Sequence, residues 1–239
     1  MTVVPDSKQN FLLAALPEAE LRRWLPQMEC VEMSLGQVLY ESGDINRHVY
    51  FPTSAIVSLF YTGDGGSTAK IAVVGREGLV GIALFIGGGS TPSRAVVQSA
   101  GQGFRMDAQT VKDDFDRGGP VMRLLLHYSL ALITQMVQTA ACNKQHSPDQ
   151  RLCRMLLLSL DRLQCNDVVM TQELIADMLG VPGDAATQCA LHLQEAGLIR
   201  YERGHITVLD RPGLKKRACE CYAAVKKEYD RLLPEDLVV

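Results

Sequence analysis

The chain has 239 residues, 47% of them hydrophobic and 21% charged, a globular balance that excludes a disordered, collagenous or low-complexity protein and suits one large or two small domains. Its 24 Lys and Arg against 27 Asp and Glu leave a net charge of −3, so any surface for nucleic acid has to be local. No basic-then-apolar leader opens the sequence, and the apolar stretch Leu124 to Cys142 is broken by His127, Gln135 and Gln138, so a cytoplasmic chain with no membrane contact is expected.

In chain order, Leu16 to Leu21 reads as a short helix. From Leu35 to about Met106 short runs rich in Val, Ile, Phe and Tyr alternate with turn residues: Leu39-Tyr40, Ile56 to Tyr61, Lys70 to Val74, Leu79 to Ile86 and Arg94 to Gln98. Ser42-Gly43-Asp44, Gly63-Asp64-Gly65-Gly66 and Gly87-Gly88-Gly89 supply the turns. Many short strands without intervening helices predict an antiparallel barrel or jelly roll. From Pro120 the period becomes helical and carries two apolar stripes. Leu125, Tyr128, Leu132 and Met136 form one, and Leu126, Leu130, Ile133, Val137 and Ala141 lie beside it. One stripe can cover the barrel; the second wants another partner, in a dimer or within the monomer.

Gln150 to Gln164 repeats the helical pattern. Then come Thr171 as an N-cap, a helix to Gly180 as a left-handed turn, a second helix Ala185 to Ala196, and Gly197 as its stop. Ala176 at the crossing, with Ile175, Leu179, Val181, Ala186 and Cys189 locking the helices together, predicts a helix-turn-helix. Leu198 to Tyr201 and His205 to Leu209, joined at Glu202-Arg203-Gly204, predict a hairpin wing beside it.

Those segments resemble the cyclic-AMP receptor protein/Fnr (Crp/Fnr) family of transcription regulators along nearly the whole length. The resemblance runs through LGQVLYESGD (35–44), GREGLVGIALF (75–85), TQELIADMLGV (171–181), LQEAGLIRYERGHITVLD (193–210) and CECYAAVKKEYDRLLP (219–234). It implies an α+β fold with a cyclic-nucleotide-binding-like β-roll sensor over 1–119, a dimerisation helix over 120–146 and a winged helix-turn-helix DNA-binding domain over 147–239. Implied partners are double-stranded DNA, a second copy of the chain, RNA polymerase and a small-molecule effector of unknown identity.

The DNA-contacting set expected from it is Thr171 and Gln172 heading the first helix, Asp184, Thr187, Gln188 and His192 on the second, and Arg203 on the wing. Gly183 and Leu191 fall at neighbouring positions. No arginine lies between Pro182 and Glu195, so guanine forks are missing; Asp184 can accept from cytosine or serve as an N-cap, Gln188 can pair with adenine, and Thr187 can reach a phosphate. Arg200, Arg203, His205, Arg211, Lys215, Lys216 and Arg217 remain for the backbone, which predicts weak, salt-sensitive binding. A relative that kept the fold and lost DNA binding, acting as a signalling or scaffold dimer, is the alternative.

The effector segment is Gly78, Leu79, Val80, Gly81 and Ile82, with Arg94 downstream. Ile82 stands where cyclic-AMP-binding members carry the ribose-holding glutamate, and Arg94 is followed by Ala95 and shifted by one residue, which on a strand turns it out of the pocket. Cyclic AMP is therefore not expected as ligand. No cysteine precedes Cys30, which excludes the family's N-terminal iron–sulfur cluster. Cys142 and His146 share a helical face if the helix continues that far, and Cys219-Glu220-Cys221 is a close pair. Either can be read as a metal or redox site, but Cys221 falls on the apolar stripe of Leu214, Ala218, Val225 and Leu232, so free core thiols, no metal and no cofactor are expected. Catalytic motifs are absent: there is no phosphate loop, HExxH or GxSxG, and no enzyme is expected.

Overall fold

The computed structural model describes residues 5–63, 68–85, 90–91, 93–163 and 166–233. The expected turns at Gly63 to Gly66 and Gly87 to Gly89 lie wholly or mostly outside the described residues, as does Cys165. Asn10 opens helix α1 (Phe11–Ala14) by accepting from the Leu12 and Leu13 amides, and α2 (Glu18–Trp24) follows from Pro17. Seven strands come next: β1 (Glu29–Met33), β2 (Val38–Tyr40), β3 (His48–Pro52), β4 (Ile56–Thr62), β5 (Thr68–Val74), β6 (Ser93–Ser99) and β7 (Gly101–Asp107). They form two antiparallel sheets, β1-β7-β3 and β2-β6-β4-β5, which is the expected roll. Of the strand expected over Leu79 to Ile86, the described residues Leu79 to Phe85 do not form one. Only Val80 makes a bridge, to Tyr50, and Ile82–Leu84 is a 3-10 turn entered through Gly81 at φ 113°, a left-handed conformation that glycine tolerates.

Asp107 caps α3 (Ala108–Arg117), and Gly118-Gly119 turns the chain into α4 (Pro120–Gln145) with Pro120 in its first turn. The inner stripe of α4 is committed to the core: Leu125, Tyr128 and Leu132 are buried, and buried Gln135 donates to the Val73 carbonyl at 2.9 Å. The neighbouring stripe is bare. Leu126, Leu130, Ile133 and Val137 are 47, 46, 48 and 60% exposed, spaced four, three and four residues apart as in a coiled-coil seam.

A capping box at Ser147 and Gln150 starts α5 (Pro148–Arg162). The last third contains β8 (Asp167–Val169), α6 (Gln172–Leu179), α7 (Gly183–Glu195), β9 (Ile199–Glu202), β10 (His205–Val208), α8 (Arg211–Arg217) and α9 (Cys221–Leu232). The wing has one strand more than the sequence suggested: β8 pairs with β10 to give a β8-β10-β9 sheet. α9 returns to pack along α4 and α5. Arg162 in α5 gathers these parts, pairing with Glu77 at 2.8 Å and donating to Gln135 Oε1 of α4 at 3.0 Å.

Candidate DNA interface and effector segment

Thr171 accepts from the Leu174 amide at 3.2 Å and so starts α6; Gly180 at φ 59° ends it, and Ile175, Leu179, Ala186 and Cys189 are buried where the two helices meet. The wing is fixed to this pair at two points. Met170 N–H donates to the Gly204 carbonyl at 2.7 Å, and Tyr201 N–H to the Gln194 side chain of α7 at 2.8 Å. Glu202 pairs with His205 across a two-residue turn in which Arg203 (φ 49°) and Gly204 (φ 78°) are both left-handed, the geometry of a tight I′ hairpin. Holding an arginine there costs about 1–2 kcal/mol. It leaves the Arg203 side chain exposed at the wing tip.

Ala186, Cys189, Ala190 and Leu193 seat one side of α7 in the core, so the opposite side presents Asp184, Gln188, Leu191 and Glu195 to solvent. That stripe holds two carboxylates and no cation. Other members of the expected set are engaged elsewhere. The Thr187 hydroxyl donates back to the Gly183 carbonyl at 2.8 Å. His192 Nδ1 lies 3.3 Å from Asp149 Oδ2, which Arg217 also approaches at 3.5 Å, so α5 holds both. Asp184 accepts from the Ala185 amide at 2.9 Å. Thr171 lines a cleft of about 270 Å³ against the roll, with Leu174 and Asp177, so the head of α6 faces the β2-β6-β4-β5 sheet. Gln172, Gln188 and Arg203 are exposed. Arg211 pairs with Asp161, while Arg200 on β9 and Lys215 and Lys216 on α8 are exposed.

In the effector segment, Leu79 and Val80 are buried. A Cβ at Gly78 would come within 2.6 Å of Tyr128 Cζ, and the Tyr128 hydroxyl donates to the Leu79 carbonyl at 2.8 Å, so the ring of α4 occupies the space beside the segment. Gly78→Ala is expected to cost about 1–3 kcal/mol by overpacking. A lowered urea midpoint is the readout, and an unchanged one means the ring yields freely. Ser93 and Ala95 are buried in the roll whereas Arg94 and Val96 line the outer cleft, where Arg94 pairs with Glu41 at 3.1 Å. Arg94 is thus separated from Gly78 to Ile82, with which it was grouped.

A buried polar joint went unseen in the sequence because its members are far apart in it. Lys70 donates to Gln98 Oε1 at 2.9 Å, Ser58 donates to the same oxygen at 2.8 Å, and the Arg154 guanidinium donates to Thr139 at 2.8 Å. Burial pushes the Lys70 ammonium well below its usual pKa, and Arg154 and Arg162 add repulsion. Lys70, Arg151 and Arg154 line one small cavity where β5, α4, α5 and α6 meet.

Two family models match the chain: a cyclic nucleotide-binding domain over residues 30–117 and a Crp-like helix-turn-helix domain over 150–217, together more than half of its length. The chain belongs to the Crp/Fnr family. Crp/Fnr proteins are transcription regulators rather than enzymes, and this one carries the family's helix-turn-helix DNA-binding domain. Solved structures share the fold. FixK2 from Bradyrhizobium japonicum superposes with a TM-score of 0.69 at 14% identity, over 80% of this chain and 98% of that one. A CRP-family transcriptional regulator from Thermus thermophilus gives 0.64 at 16%, over 79% and 96%. The c-di-GMP responsive global regulator CLP of Xanthomonas campestris gives 0.62 at 15%, over 81% and 100%. Among curated proteins, no sequence matches closely enough to name a relative.

Proposed function

We propose that this Crp/Fnr regulator is a cytoplasmic homodimer that binds two DNA half-sites, with 1–119 as sensor, 120–146 as dimerisation helix and 147–239 as reader. The apolar seam on α4 carries the reading: four large side chains at coiled-coil spacing are bare on a protomer whose other α4 stripe buries Leu125, Tyr128 and Leu132. Pairing two seams sets two winged domains side by side, for half-sites about 34 Å apart. Gln188 and Asp184 are the base-reading candidates and Arg203 the phosphate contact, with Gln172 beside it; RNA polymerase is the further partner that such a regulator addresses. The roll senses a ligand other than cyclic AMP, since Ile82 offers no ribose acceptor and Arg94 lies on the outer face.

The acidic stripe on α7 favours a second reading, a signalling or scaffold dimer that no longer grips DNA. Selecting duplexes from a random pool with the purified protein separates the two. A regulator returns a two-fold symmetric site; Arg203→Ala then weakens every duplex alike, and Gln188→Ala costs about 1–3 kcal/mol at one base pair and relaxes it. No enrichment at low salt, with polarisation showing no duplex bound, establishes the second reading.

A further inference from the structure

We propose that Cys142, His146, Cys219 and Cys221 form a Cys3His site for one divalent metal ion of the zinc class. The fold brings together two pairs that are far apart in sequence. α4 ends at Gln145, one residue before His146, which caps it, and the junction between α8 and α9 delivers Cys219 and Cys221. All four ligand atoms lie within 4.8 Å of one another. Cys142 Sγ is 3.5 Å from Cys219 Sγ, and Cys221 Sγ is 3.7 Å from His146 Nδ1. A tetrahedron with metal–sulfur bonds of about 2.3 Å has edges of about 3.8 Å. The side chains therefore stand close to ligand spacing already.

Three surroundings point the same way. His146 Nε2 is 3.2 Å from Glu220 Oε1, the outer carboxylate that fixes an imidazole with Nδ1 free to ligate. The three cysteines form a buried cluster of their own beside the main apolar core. Finally, Arg151 and Arg154 have buried Nε atoms without a hydrogen-bond partner, and the Arg154 charge opposes the burial that pushes the Cys142 thiol up. Three thiolates and a neutral imidazole on a divalent ion leave one net negative charge, which these guanidiniums offset. Each thiol gives up its proton as the ion binds, so loading releases up to three protons. The ion would tie the end of α4 to the base of α9 beside the Gln145–Pro148 link, the joint through which the roll and α4 orient the winged domain.

The test uses the full chain, reduced, stripped with a chelator and titrated anaerobically with Co²⁺, then Zn²⁺. One Co²⁺ per chain is expected, with the intense visible bands of a tetrahedral thiolate site, displaced by Zn²⁺ and accompanied by proton release. Glu220→Gln should weaken binding roughly 10–100-fold. Cys142→Ser with Cys221→Ser should abolish it, whereas the buried thiols outside the cluster, replaced in Cys153→Ser and Cys189→Ser, should leave it intact. If the double serine variant does not fold, the Glu220→Gln weakening and the retained control variants decide. Absence of uptake, the pale spectrum of an octahedral ion, full uptake in a folded double serine variant, or a Cys142–Cys219 disulfide in anaerobically isolated protein overturns the proposal.

Discussion

Ile133→Asp is expected to split the protein into 26.2 kDa protomers while leaving each protomer folded. Ile133 is 48% exposed in the single chain, so a carboxylate there is hydrated in the monomer and costs it little. In the proposed dimer the same position lies mid-seam, between Leu130 and Val137, and two carboxylates would be driven together in an apolar interface. A buried unpaired charge costs about 3–5 kcal/mol, which weakens dimerisation by at least ~100-fold. Sedimentation velocity reads the mass and circular dichroism the fold. Affinity for a symmetric two-half-site duplex should fall with the dimer, because the second half-site is then no longer held at high local concentration. Leu132→Asp is the contrasting variant: Leu132 belongs to the inner stripe and is buried in the protomer, so it should unfold the chain rather than merely divide it. Retention of the dimer by Ile133→Asp would remove the seam from the account and, with it, the basis for placing the two readers.

How much of this was legible beforehand depended on range. Local chemistry showed plainly: Thr171, Gly180 and Gly197 were readable as cap, turn and stop because each acts within one helical turn, and the period of 120–145 separated an inner from an outer stripe without any knowledge of what lay against them. The shift of Arg94 out of the roll was equally readable, since strand alternation is a local rule. Hidden were the pairings between segments. His192 and Thr187 look available on a helical wheel, yet Asp149, 43 residues upstream of His192, and the Gly183 carbonyl occupy them. β8 was missed because three residues, Asp167 to Val169, are too short a run to show alternation, and only its partner β10 makes it a strand. The sequence shows Cys142/His146 and Cys219/Cys221 as two separate pairs and favours free core thiols for both; only the packing of α9 on α4 brings the four side chains together.

The same long-range packing makes Glu77→Ala the most damaging single substitution expected at the joint between the roll and the C-terminal domain. Glu77 precedes the Gly78 segment of the roll; Arg162 lies near the end of α5, and its side chain is only 4% exposed. The guanidinium also reaches Leu158 O at 2.6 Å and Gln135 Oε1 at 3.0 Å, so truncating Glu77 leaves it hydrogen-bonded but without its directly paired carboxylate, with Asp161 the other carboxylate acting on it, at the edge of a cavity of about 210 Å³. Removing one partner of such a pair costs about 3–5 kcal/mol. For a chain of this size that is a fall in Tm of roughly 6–20 °C. Replacing both partners, Glu77→Leu with Arg162→Met, removes the stranded charge and should recover much of the loss, because the desolvation cost of the pair disappears with it. A double-mutant cycle by calorimetry measures the coupling, and a loss below about 1 kcal/mol in Glu77→Ala would show the pair to be a screened surface contact. Because the pair joins the roll to α5 while Gln135 joins α5 to α4, its loss should also separate one unfolding transition into two, the reader melting before the roll.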